Sequence, residues 1–387
     1  MSRRSFDGTP PAGAGAFFDG PQLPPAFREG NGIEPRRRAP NTRQLIVVAA
    51  LTLIALALMW PGTLRSLGSG FMIGRDRHWG NRLPLLYGSA WKEDQTAMNV
   101  VDAVLAGFRG VDTACQPQHY REDLVGEALR TLKIEHGIGR EEVWLQTKFT
   151  PAQHQGADVP YDPAAPLQDQ VAQSVQVSLK NLQVTSVDAL LLHGPLETHE
   201  RTMEAWRAME AQVELGFVTQ LGISNLHDVR RFEKIYTEAT VKPRVLQNRF
   251  SPQLGHDAEV RIFCQRHGIV YQPFWVLSAN GQQLKSPAVT AAALAHRVEP
   301  EQVLFSYLRQ QGAQPLSGTT STVYMQDNLA SSDFAPTRAE MRELDELFLR
   351  PRGEYAAPRG RITTWRGPRG AYDAAPRRRI TTWRGPR

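Results

Sequence analysis

Between Leu83 and Leu349 the chain repeats one unit eight times: a short apolar run, then a stretch with helical periodicity. The runs are LPLLYG (83–88), FRGVD (108–112), VWLQT (143–147), VDALLLH (187–193), FVTQLGIS (217–224), RVLQN (244–248), IVYQPF (269–274) and AQPLSG (313–318). Between them, Leu167, Val171, Val175, Leu179 and Leu182 fall on one helical face, as do Met203, Trp206, Met209 and Val213. Eight such repeats in about 267 residues is the length and rhythm of an α/β fold, a (β/α)8 TIM barrel. A doubly wound open sheet is the alternative, but no GxGxxG follows the first run.

The flanks read differently. Residues 1–43, rich in Gly, Pro and Arg, lack apolar periodicity and are expected to be disordered. QLIVVAALTLIALALMWPGTL, residues 44–64, holds 21 uncharged residues between Arg43 and Arg65. As a helix it would rise roughly 31 Å, about the hydrocarbon thickness of a bilayer, so a single transmembrane helix is expected there. A buried soluble helix is the alternative. Residues 65–81 would form a juxtamembrane linker, 82–349 the barrel domain, and 350–387 an Arg-rich disordered tail. That tail carries AAPRGRITTWRGPR (356–369) again as AAPRRRITTWRGPR (374–387), a tandem repeat to which no catalytic role is assigned. A single-pass membrane localisation follows. Arg28, Arg36, Arg37, Arg38 and Arg43 argue for a cytosolic N-terminus. The lack of N-x-S/T sequons argues for a cytosolic body, so the side of the catalytic domain is left open.

The formal charge of +6 belongs to the flanks. Residues 1–43 carry seven Arg against four acids and residues 350–387 eleven against two, which leaves the remainder at −6. No nucleic-acid partner is expected of such a body. Two cysteines, Cys115 and Cys264, make neither a disulfide framework nor a metal site.

Within the barrel reading, polar residues recur at strand C-terminal ends, the edge where α/β chemistry gathers. Asp112 closes the second run, and Tyr120 follows eight residues on at the mouth of a helix bearing Leu124, Val125, Ala128, Leu129 and Leu132. Lys148, His193 and Ser224-Asn225 end the next three, with Gln247 and Phe274 on the sixth and seventh. Singly, an Asp there is more often a cap or turn residue, and a Tyr more often packing. On four consecutive strands the coincidence points to one site. A phenol beside an ammonium beside a carboxylate suits proton delivery by tyrosine: Lys148 would favour the tyrosinate, Asp112 would hold the lysine charged, and His193 would orient a carbonyl oxygen. That is acid catalysis of carbonyl reduction, and it requires a hydride donor.

The segments LLYGSAWK, GFRGVDTA, HYREDLVGEAL, VWLQTKF, LLLHGPL, LGISNL, VLQNRF and PLSGTT resemble the aldo-keto reductase family, in particular divergent fungal-type members, over residues 83–335. The resemblance implies the tetrad Asp112, Tyr120, Lys148 and His193, with Tyr120 as proton donor. It implies that Ser224, Asn225 and Gln247 hold the nicotinamide carboxamide of NADPH, with NADH possible. Phe274 stands where the family's stacking Tyr is expected, keeping the ring. The family's phosphate-binding Lys-Ser pair reads Leu316-Ser317, and the expected Arg is missing from GTTSTVYMQDNL, while Asn328 matches the position near the adenine. The implied partner is a small carbonyl substrate. The alternative from another class is a cofactor-binding regulatory subunit of a membrane protein, built on the same barrel. Trp91, Phe149 and Trp275 are candidate pocket aromatics. Neither the substrate nor the oligomeric state is legible.

Overall fold

The computed structural model describes residues 83–349. The chain divides into units Met1–Ile73 and Gly74–Arg387, and the described residues belong to the second. They form eight parallel strands: β1 (Leu86–Gly88), β2 (Gly110–Asp112), β3 (Trp144–Phe149), β4 (Val187–Leu192), β5 (Val218–Ser224), β6 (Val245–Arg249), β7 (Val270–Phe274) and β8 (Leu316–Ser317). The order β7-β6-β5-β4-β3-β2-β1-β8 brings the chain round a near-closed barrel. Every run read from the sequence coincides with a strand, and β3 and β6 continue past the ends of theirs, to Phe149 and Arg249. The observed strands are shorter at the first and last runs, where Pro84 and Pro315 flank the pairing.

Between β7 and β8 no ladder forms among the described residues. The seam is bridged by Gln314, whose backbone N–H donates to Tyr271 O at 2.8 Å and whose Oε1 accepts from Gln272 Nε2 at 2.8 Å. Its own Nε2 donates onward to Leu83 O at 3.1 Å.

Helices α1 (Thr96–Ala106), α2 (Glu122–His136), α3 (Leu167–Leu182), α4 (His199–Glu214), α5 (Val229–Glu238) and α6 (Ala258–His267) each link consecutive strands. Two helices, α7 (Pro287–His296) and α8 (Pro300–Gln310), lie between β7 and β8. After the last strand come α9 (Thr322–Ala330) and α10 (Arg338–Phe348). Local chemistry sets their ends. Acidic Glu122 and Asp123 open α2, Lys133 and His136 close it, and Gly137 at φ 67° supplies the left-handed cap. Asp228 caps α5 by accepting from the amides of Arg230 and Arg231. The stripe of α3 is buried in full: Leu167, Val171, Val175, Leu179 and Leu182 all face the sheet.

Glycine permits two close approaches. A Cβ on Gly126 of α2 would lie 2.2 Å from Asn181 O on α3, and one on Gly222 of β5 2.7 Å from Val245 O on β6. Inside the barrel, Leu86, Trp144, Ala189, Leu191 and Val245 form a separate apolar cluster. Strand alternation continues that interior upward into polar residues.

The transmembrane helix expected at 44–64 is corrected. Among the described residues no helix is long and apolar enough to cross a membrane, and residues 44–64 lie outside them. In the sequence, Pro61-Gly62 interrupt the apolar run and leave residues 44–60 as its uninterrupted part. The membrane anchor, the membrane partner and the single-pass localisation are withdrawn with it. The segments 1–43, 65–81 and 350–387, expected as disordered or linking, also fall outside the described residues.

Candidate active site

Asp112 is the last residue of β2 and Lys148 the last but one of β3. Both point into the barrel and both are almost fully buried. Lys148 Nζ donates to Asp112 Oδ2 at 2.6 Å and to Thr113 O at 2.8 Å. Burial pulls the ammonium below the ordinary lysine range, opposed first by Asp112 and then by Glu122. Asp112 Oδ1 accepts from Gln146 Nε2 at 2.7 Å and Gln247 Nε2 at 2.9 Å. A buried carboxylate with three side-chain donors has its lone pairs well satisfied.

Tyr120 stands just before α2 in a loop tied down at both sides. Its N–H donates to Gln116 O at 3.0 Å, and Gln116 Nε2 to His154 O at 2.7 Å. Lys148 Nζ lies 5.0 Å from the centroid of the Tyr120 ring, and the His193 ring centroid 6.0 Å from it at an interplanar angle of 69°. His193 follows β4. Its Nδ1 pairs with Thr150 Oγ1 at 2.7 Å. Burial, and then the Lys148 charge, hold its pKa well below the usual histidine value, so the imidazole is neutral. The four residues expected to form a tetrad therefore share one place.

The residues expected to hold a cofactor line the same rim. Ser224 ends β5 and its Oγ donates to Gln247 O at 2.7 Å. Asn225, at φ 55°, donates through Nδ2 to His193 O and to Ser224 Oγ. Gln247 directs Nε2 to Asp112 and, at 3.1 Å, to Gln272 Oε1. Both amides thus have their nitrogens engaged, and their oxygens are the atoms that can accept from a ligand. Phe274 ends β7, half-buried. Ser317 ends β8, where its Oγ accepts from Asn328 Nδ2 at 2.8 Å.

Several participants escaped the sequence reading. Gln146, Gln272 and Gln314 run beneath Asp112 as a hydrogen-bonded chain across the barrel. Glu122, fully inside, accepts from Thr147 and Ser178 and is pushed above the usual carboxyl range by burial. Lys92 Nζ donates to Gly318 O at the end of β8, and burial lowers its pKa to about 8. A period-2 strand with polar residues at alternate positions was the available signal for Gln146 and Gln272. Of the candidate pocket aromatics, Phe149 is buried against Tyr161, Trp91 packs on His119 with centroids 3.8 Å apart, and Trp275 sits on Arg249. Cys115 and Cys264 are free and buried.

Comparison with known proteins agrees with this geometry. The model of the Aldo/keto reductase family matches residues 80–348. An aldo-keto reductase of Mycolicibacterium vanbaalenii is 30% identical over 253 residues, 65% of this chain and 83% of its own. Aldo-keto reductase family 1 member A1 of Bos taurus is 28% identical over 303 residues, 70% of this chain and 87% of its own. Among solved structures, an aldo/keto reductase from Brucella melitensis superposes with TM-score 0.59 at 26% identity, covering 68% of this chain and 94% of that one. The Bombyx mori aldo-keto reductase solved with NADP gives TM-score 0.58 at 23% identity over 68% of this chain and 88% of its own, a likeness of fold. The chain belongs to the aldo/keto reductase family, whose members are NAD(P)H-dependent oxidoreductases acting on carbonyl groups.

Proposed function

We propose that this protein reduces an aldehyde or ketone to the alcohol with NADPH, Tyr120 delivering the proton. The observation that carries the reading is the contact chain Asp112–Lys148–Tyr120–His193 at the C-terminal ends of three consecutive strands and the loop that follows the first. The bound cofactor supplies the hydride. A carbonyl oxygen lying between the phenol and the neutral imidazole accepts a hydrogen bond from each. As the oxygen gains charge, Tyr120 gives up its proton, and the Lys148 ammonium 5.0 Å from its ring favours the tyrosinate left behind. Asp112 fixes that ammonium and disperses its cost of burial through Gln146 and Gln247.

The side chains suit a nicotinamide cofactor. The acceptor oxygens of Asn225 and Gln247 are complementary to a carboxamide NH2, and Phe274 offers a ring face beside them. Ser317 and Asn328, joined and buried beside Gly318, support a phosphate-end role, with Lys92 in the place of a cation that Leu316 does not supply. NADH is the alternative donor. The regulatory-subunit reading drew on the membrane anchor and is not carried forward. Calorimetric titration of the full chain with NADPH and with NADH, followed by turnover on a panel of aromatic and aliphatic aldehydes, tests the proposal. Binding with turnover is expected, and a folded protein that binds neither cofactor refutes it.

A further inference from the structure

Alternation along β6 places Arg249 on the same side as Val245 and Gln247, two residues nearer the mouth of the barrel. Gln247 reaches Asp112 inside the barrel, so the Arg249 side chain leaves the strand on the pocket side of the rim. Its guanidinium carbon lies 4.1 Å from the centroid of the Trp275 ring. Among the described residues, Arg121, Arg140 and Arg201 each find a carboxylate, whereas Arg249 has neither an ion pair nor a side-chain hydrogen bond. It is half-buried, and removal from water lowers its pKa with no neighbouring acid to oppose the shift.

The rim that presents this cation is rigid. Trp275 adopts φ 58°, a left-handed backbone that an aromatic residue holds only when its surroundings impose it. Phe250 N–H donates to Phe274 O at 3.0 Å, tying the two strand ends together. Asn280, fully buried, donates to Phe250 O and Val276 O at 2.8 Å each and pairs through Oδ1 with His256 Nε2 at 2.8 Å. The loops after β6 and β7 are thereby bolted to each other, and Arg249 is held against its indole. A guanidinium stacked by its face keeps its edge N–H groups for an acceptor in its own plane.

We propose that Arg249, backed by Trp275, is an oxyanion-binding site at the mouth of the catalytic pocket, taking a carboxylate or phosphate group of a bound ligand. It rests on the reductase reading above for what enters the pocket. Two ligands can bring that group: a carbonyl substrate bearing an acid, or the cofactor through its diphosphate. In either case Arg249 selects by bidentate hydrogen bonding, which Lys cannot reproduce.

The test uses the full chain as wild type, Arg249→Gln and Arg249→Lys, with calorimetric Kd values for NADPH and, on the NADPH complex, for benzoate as the carboxylate probe. A substrate role predicts benzoate binding weakened ~10-fold or more in Arg249→Gln, consistent with loss of a charge-assisted bond, with NADPH affinity unchanged. A cofactor role predicts the same loss in NADPH affinity instead. Arg249→Lys should recover only part of either loss. Unchanged Kd values for both probes, or no benzoate binding by the wild type together with unchanged NADPH affinity, overturn the proposal. Turnover of benzaldehyde by the wild type judges the reductase reading separately, since neither Kd depends on it.

Discussion

Gln146 and Asp112 are register partners on β3 and β2, and the Gln146 amide donates to Asp112 Oδ1 at 2.7 Å. The glutamine simultaneously reaches Gln272 Oε1 at 2.8 Å on the far side of the barrel. Replacing it by leucine leaves Gln247 as the sole side-chain donor both to that oxygen and to Gln272 Oε1. Gln146→Leu is expected to lower stability by about 1–3 kcal/mol, measured by the urea midpoint. A midpoint equal to wild type would show that the chain of glutamines contributes nothing to holding Asp112.

Tyr120→Phe removes one oxygen and keeps the ring that sits against Lys148 and His193. Turnover should fall by ~100-fold to ~10,000-fold, the range for a lost general acid, while NADPH affinity is retained. Retained turnover in that variant would place the proton source elsewhere.

Lys148→Met breaks an ion pair in which both partners are withdrawn from water. Asp112 would then be a buried carboxylate held only by two amides. Stability should drop by about 3–5 kcal/mol, seen as a lowered melting temperature. The companion change Asp112→Asn in the same chain should restore part of that loss, because it removes the stranded charge.

His256 lies in the core, its Nε2 paired with Asn280, and burial lowers its pKa to about 4 from the ordinary histidine value of 6.5. The unfolded chain takes up the proton first as pH falls. The stability present above the unfolded value is therefore lost between pH 6.5 and about 4, by up to roughly 3 kcal/mol. Because its φ is 51°, asparagine is the substitute that tolerates the backbone. Denaturation of His256→Asn across this range should show a shallower acid limb than wild type.

The eight strands could be read from the sequence because each is a short apolar run followed by a stretch of helical periodicity, and period and length together leave little choice. Asp112, Lys148 and His193 followed from the polar residues at or just past strand ends, and Tyr120 from its place at the mouth of the next helix. What escaped is whatever depends on which side chain meets which across the lumen. Gln146 looks like an unremarkable strand residue, and only the barrel's closure reveals that Gln272, 126 positions away, is its partner. Glu122 reads as a helix-start acid, yet the packing of α3 buries it. Arg249 was passed over for the same reason: alternation gives its side, but the neighbours it lacks are visible only once the loops are in place. The transmembrane reading of 44–64 rested on length and hydropathy alone, and that run lies outside the described residues.

Eight strands joined by seven ladders leave a ribbon with two free ends, meeting where Gln314 spans β7 and the start of β8. Thermal opening begins where the fewest bonds must break together, so the barrel breathes at this corner. The Gln314 amide proton should exchange with deuterated solvent ahead of those of Gln247 and Lys148, which sit in paired strands. Because the same glutamine leads through Gln272 and Gln146 to Asp112, water admitted at the corner arrives beneath the Asp112 carboxylate.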